Sequence, residues 1–283
     1  MQETFLGFPH GKTSDITKGT IALVGSTIVS KSEHDPFGQN FSADWIRKCS
    51  YEYTGFIDYK EKCIIDYNVI DLGNFSRENI GETVKAVIEN GGVPIVFGGD
   101  HTTTYYALEK LQPSRLTVFD AHFDFADQNV NPDAEPISHG FINKLLVGKG
   151  WEITIFGTRA YSSFCNEYMD AKKVGVKIIP WFGNEKTMGS IIENSIYLSI
   201  DMDFFDLSSF PATRVPEIGG ATLREFISTI RLIKSFNPKY VDLVEYAPET
   251  DFNKAYCKAI SILIMEIIAK LQNTNSVHRG TII

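Results

Sequence analysis

Residues 115–125 read RLTVFDAHFDF. The opening RLTVF does not alternate between polar and apolar residues, so it predicts a strand buried on both faces. Beyond it, Asp120, His122 and Asp124 alternate with Ala121, Phe123 and Phe125. If the strand continues, positions i, i+2 and i+4 share one face, and two carboxylates and an imidazole point the same way. Burying carboxylates without compensation is costly, and metal coordination is one usual compensation. The competing reading is a solvated strand edge, which the buried run before it argues against.

Working outward, the same kind of run recurs at 20–27, 63–73, 93–99, 151–159, 176–181, 195–203 and 239–246. Between them, 78–90, 222–236 and 253–273 carry apolar residues at helical spacing. Strand–helix alternation with near-continuous apolar strands predicts an α/β fold, a mainly parallel sheet covered on both faces. No linker or repeat interrupts the pattern, so residues 1–283 are expected to form a single domain. In such sheets, sites form outside the carboxyl ends of the strands.

Two more strand ends carry polar residues. IVFGGDH ends in Asp100 and His101 after two glycines. Taken alone, it is equally well a turn with a capping aspartate. SIYLSIDMD ends in Asp201 and Asp203, which an Asx turn would also explain. Taken together, His101, Asp120, His122, Asp124, Asp201 and Asp203 supply four carboxylates and two imidazoles. The four negative charges match two divalent cations. A set rich in oxygen, with no thiolate, suits Mn²⁺ better than tetrahedral zinc. Such a pair, about 3.5–4 Å apart, activates water at neutral pH.

Composition narrows the partners. The formal net charge of −8 argues against a nucleic-acid surface. The start lacks an apolar signal region, and the most apolar run, near 261–269, is short and broken by Glu266. Neither a leader nor a membrane span is expected. Cys49, Cys63, Cys165 and Cys257 lie far apart with no CxxC pair, and read as reduced thiols of a cytoplasmic protein.

The motifs GGDH, DAHFD, SHG, SIDMD and VDLVEYAPETD, in this order from about residue 20 to the C-terminus, resemble those of the ureohydrolases, the family of arginase, agmatinase, guanidinobutyrase, proclavaminate amidinohydrolase and formiminoglutamase. The resemblance implies a three-layer α/β/α sandwich and a dimanganese centre. His101 and Asp124 would hold one ion, His122 and Asp203 the other, and Asp120 and Asp201 would bridge them. His139, in SHG, would shuttle protons, and Glu245 would grip a substrate guanidinium. A homotrimer or hexamer is the common assembly. Three segments depart from the family: DPFGQNFSADWIR near 35–47, FDLSSFPATRVPEIGG after Asp203, and Phe141, Ile142 and Asn143 after SHG.

Guanidinium carbon is a poor electrophile, so hydrolysis needs an activated nucleophile and a protonated leaving amine. Asp124, His139 and Glu245 are the expected catalytic residues. By the family pattern, residues 125–138 lie near the pocket mouth. They hold Asp127, Asp133 and Glu135 and no lysine or arginine, which favours the cationic tail of agmatine over a carboxylate. A phosphoesterase would need cationic or amide-rich phosphate contacts, whereas the sequence shows no Gly-rich phosphate loop and the segment around the site is acidic. A binding protein that has lost catalysis would not need the full ligand set.

Overall fold

The strands form where β-branched and aromatic residues cluster. They are β1 (Ile21–Ser26), β2 (Val69–Phe75), β3 (Val93–Phe97), β4 (Arg115–Phe119), β5 (Glu152–Thr158), β6 (Lys177–Pro180), β7 (Tyr197–Asp201) and β8 (Tyr240–Val244). The computed structural model describes residues 3–30, 37–53, 57–58, 60–126, 140, 142–159, 161 and 165–276. All eight strands run parallel in one sheet of order β2-β1-β3-β8-β7-β4-β5-β6.

Side chains alternate across this sheet. Ile21 and Leu23 of β1, Ile95 and Phe97 of β3, and Leu198 and Ile200 of β7 enter one core. Ala22, Val24, Val96 and Tyr197 enter the other. The period of two gives each central strand two buried faces, hence its apolar run. Helices α1 (Ser42–Ser50), α6 (Met188–Glu193), α7 (Leu223–Leu232) and α8 (Ala255–Ser276) contribute to the first core. Helices α2 (Ile80–Glu89), α3 (Thr102–Leu108), α4 (Ile142–Gly148) and α5 (Cys165–Lys173) contribute to the second. The result is the three-layer α/β/α arrangement. Helix α7 opens with a reciprocal cap: Thr222 Oγ1 accepts from Glu225 N at 3.1 Å, and Glu225 accepts from Thr222 N at 2.7 Å.

Three expectations need correction. The run 63–73 is strand only from Val69, because Ile64–Asp66 forms a 3₁₀ turn first. β4 stops at Phe119, so Asp120, His122 and Asp124 lie beyond the strand. Cys49 and Cys257 are not separate thiols but a disulfide pair, 208 residues apart in sequence with Cα atoms 6.1 Å apart. Packing of α1 on α8 brings them together; Ser261 Oγ of α8, for example, donates to Ile46 O of α1 at 3.2 Å. Among the described residues, no helix is long and apolar enough to cross a membrane.

Candidate metal centre

Because every strand is parallel, all carboxyl ends lie on one edge. The four adjacent strands β3, β8, β7 and β4 deliver His101, Glu245, Asp201 with Asp203, and the 120–124 segment to that edge. The exit of β3 depends on glycine. Gly99 has φ +73, and a Cβ there would lie 2.4 Å from Ile28 O. Asp100 does not face the centre. Its carboxylate accepts from Ser30 N at 2.6 Å and Thr102 N at 3.0 Å, fixing the turn into α3.

The exit of β4 bends at once. Asp120 Oδ1 accepts from His122 N at 2.6 Å, and Asp124 takes φ 46. After β7, Asp201 Oδ1 accepts from Asp203 N at 2.8 Å. The turn reading and the ligand reading of these aspartates are therefore compatible: one carboxylate oxygen holds the backbone and the other faces inward. Asn143 Nδ2 donates to Phe123 O at 2.9 Å, and Ala126 N to Gly140 O at 2.9 Å, tying the segment to α4.

Six side chains converge. His101 Nδ1 lies 2.9 Å from Asp124 Oδ2, 3.2 Å from Asp201 Oδ2 and 3.4 Å from Asp120 Oδ2. His122 Nδ1 lies 3.0 Å from Asp203 Oδ2 and 3.4 Å from Asp120 Oδ1. Two ligand groups result, His101–Asp120–Asp124 and Asp120–His122–Asp203, with Asp120 common to both. Asp201 joins through its contact with His101. His101 Nδ1 and Asp120 Oδ2 are buried and make no hydrogen bond among the described residues. Orphaned atoms of an imidazole and a carboxylate, facing one gap, fit a hard divalent cation.

The electrostatics follow from crowding these groups in a buried site. Burial opposes protonation of His101, but Asp120, Asp124 and Asp201 around it outweigh burial and raise its pKa well above the usual value. Burial and the charge of Asp120 push Asp124 up to about 6. Burial, then Asp203 and Asp120, raise Asp201 well above the carboxylate range. Four carboxylates around two imidazoles want more positive charge than the imidazoles supply.

Partners behind the cluster were not evident from the sequence. Ser199 Oγ donates to Asp242 Oδ1 at 2.6 Å and sits 3.2 Å from His101 Nε2. With its one proton given to Asp242, Ser199 accepts from Nε2–H, so in the neutral ring the Nδ1 lone pair faces the centre. Thr104 and Tyr240 also donate to Asp242 Oδ2, at 2.8 and 2.7 Å. On the other side, His122 Nε2 lies 3.5 Å from Glu217 Oε1. Arg159, fully buried, donates to Asp203 O at 2.7 Å, Phe204 O at 2.9 Å and Ile218 O at 3.3 Å. It thereby ties the turn that carries Asp203 to the loop that carries Glu217. The available signal was a lone aspartate, Asp242, inside the apolar run of β8, and a serine two residues before Asp201.

Glu245 stands beside the cluster, 4% exposed. Its Oε1 accepts from His101 N at 2.8 Å and its Oε2 from Gln39 Nε2 at 2.6 Å. Its φ is 68. Asp124 and Glu245 are thus both held in the left-handed region, which costs on the order of 1–3 kcal/mol per residue and persists where the surroundings over-determine it. His139 and the acidic positions Asp127, Asp133 and Glu135 lie outside the described residues.

Known proteins share this architecture. The chain is 28% identical to an N(1)-aminopropylagmatine ureohydrolase of Thermococcus kodakarensis, over 75% of this chain and 77% of that one. It is 27% identical to an agmatinase of Bacillus subtilis, over 82% and 85%. The fold superposes on the crystal structure of a Bacillus subtilis formimidoylglutamase with a TM-score of 0.78 at 21% identity, covering 93% of this chain and 92% of that one. A family model described as the Arginase family matches residues 20–271, and the chain belongs to that family of ureohydrolases.

Proposed function

We propose that this protein hydrolyses agmatine to urea and putrescine at a pair of Mn²⁺ ions. The observation that carries this reading is the convergence of His101, Asp120, His122, Asp124, Asp201 and Asp203 at four adjacent strand ends, with Glu245 beside them. His101, Asp124 and the shared Asp120 would hold one ion, His122, Asp203 and Asp120 the other, and Asp201 would reach both. When bound, the ions supply an activated water for attack on the guanidinium carbon.

The remaining work falls to the chain. Glu245 balances the cation and aligns its plane through charge-assisted hydrogen bonds. Asp124, fixed by its backbone, orients the nucleophile and takes up its proton. A C–O bond forms, the C–N bond to the aminobutyl arm breaks, and the leaving amine departs with a proton relayed by His139. Agmatine is favoured because residues 125–138 carry three acids and no base. The names of the T. kodakarensis and B. subtilis relatives point to substrates of the same type.

The test is urea release after incubation with Mn²⁺, comparing agmatine, arginine and formiminoglutamate. Agmatine should give the highest kcat/KM. Arginine equalling it, or formamide as the main product, would overturn the substrate and leave the family intact. Glu245→Gln should keep the metal content while kcat/KM collapses.

A further inference from the structure

Gln39 belongs to the segment before α1 that departs from the family pattern, and it is 1% exposed. Its position is built rather than incidental. Ser42 Oγ donates to Gln39 O at 2.5 Å and accepts from Gly99 N at 2.9 Å, so the segment is tied to the turn that carries His101. Glu249 N donates to Phe37 O at 3.2 Å, tying it also to the chain beyond β8. From this double anchorage the Gln39 amide reaches Glu245 Oε2 at 2.6 Å. A carboxylate offers only lone pairs, so the amide nitrogen must face it.

We propose that Gln39 is a positioning residue for the guanidinium pocket, acting through Glu245; this rests on Glu245 being the guanidinium contact. Each oxygen of Glu245 accepts from a neutral donor, Oε2 from Gln39 Nε2 and Oε1 from the His101 backbone. Neutral donors orient a carboxylate without cancelling its charge. A carboxylate has about four lone-pair sites, more than these two donors fill, and a planar cation engages a carboxylate as a fork. The left-handed backbone of Glu245 fixes where its side chain starts, and Gln39 fixes where it ends. Replacing Gln39 removes the bond that holds Oε2 in the bidentate pose.

The test is a double-mutant cycle on the Mn²⁺-loaded protein, using Gln39→Met, which has similar reach and no donor, and Glu245→Gln. The readouts are kcat/KM for agmatine, affinity for guanidinium ion by calorimetry, bound metal per chain and thermal midpoint. Gln39→Met should lower kcat/KM and guanidinium affinity by about 10-fold or more in the parent, the worth of one hydrogen bond to a charged group. In the Glu245→Gln background the same change should cost less than about 2-fold, because its effect passes through the charge that is gone. Metal content should hold, and a cooperative thermal transition shows that the variant is folded. Equal losses in both backgrounds, or none in the parent, would overturn the proposal. Unchanged guanidinium affinity in Glu245→Gln alone would overturn the reading beneath it, and the proposal with it. If Gln39→Met does not fold, Gln39→Asn, one methylene too short, makes the same comparison.

Discussion

The two imidazoles of the centre stand in unlike surroundings. The side chain of His101 is 1% exposed, and behind it Ser199, Asp242, Thr104 and Tyr240 form a hydrogen-bonded group drawn from β7, β8 and α3. The side chain of His122 is 18% exposed, and behind it stands Glu217, from an irregular loop. One half of the centre is therefore built from core, where geometry is fixed by packing that the whole fold needs. The other half is built from a loop, where it can change with little effect on folding. Asp120 joins the halves.

The largest effect should come from removing the joint. Asp120→Asn keeps the size but removes charge from both ligand groups. Hydrolysis should fall more than about a hundredfold, beyond the loss expected from any supporting partner. Elemental analysis should find fewer ions retained per chain. A variant that keeps both ions and near-normal urea release would overturn the proposed sharing of Asp120 between two ions.

Next in size is the core side. Asp242→Ala leaves the hydroxyls of Ser199, Thr104 and Tyr240 facing a void, at about 1–3 kcal/mol for each buried group left unsatisfied. The metal-free protein should melt at a clearly lower temperature. Mn²⁺ affinity should weaken about 10–100-fold as His101 loses its tautomer and orientation. Thermal denaturation and Mn²⁺ titration separate the two effects. Burial raises the pKa of Asp242, against the Ser199 hydroxyl that holds it down. Asp242→Asn, neutral and of the same shape, should therefore be the milder change.

The loop side should give the smallest effect. Glu217→Gln should weaken Mn²⁺ by about tenfold, the low end for a supporting partner. Metal-free stability should change by no more than about 1 kcal/mol, less than for Asp242→Ala. If Glu217→Gln lowers the metal-free melting temperature as far as Asp242→Ala does, the division into core-built and loop-built halves is wrong.

Several features were legible because they are local. Each of the eight expected strand segments contains a strand. The aspartates and histidines of the centre stand out because polar residues follow directly on apolar runs. The geometry behind that inference was different, however. Asp120, His122 and Asp124 do not share a strand face; they converge because the chain turns immediately after Phe119, with Asp124 at φ 46. An extended stretch and a tight turn both bring alternate residues to one side, and the pattern alone does not distinguish them.

The sequence by itself determined where the eight strands and three of the helices lie, the two-sided burial of the sheet and the family motifs, since each follows from spacing within a dozen residues. Only the tertiary structure decided who stands behind whom. Gln39 meets Glu245 across 206 positions, Cys49 meets Cys257 across 208, and Ser199 meets Asp242 across 43. Those meetings depend on the strand order β2-β1-β3-β8-β7-β4-β5-β6, which places β8 between β3 and β7. Hydrophobic patterning does not encode that order, because any arrangement of the same strands would bury the same apolar faces.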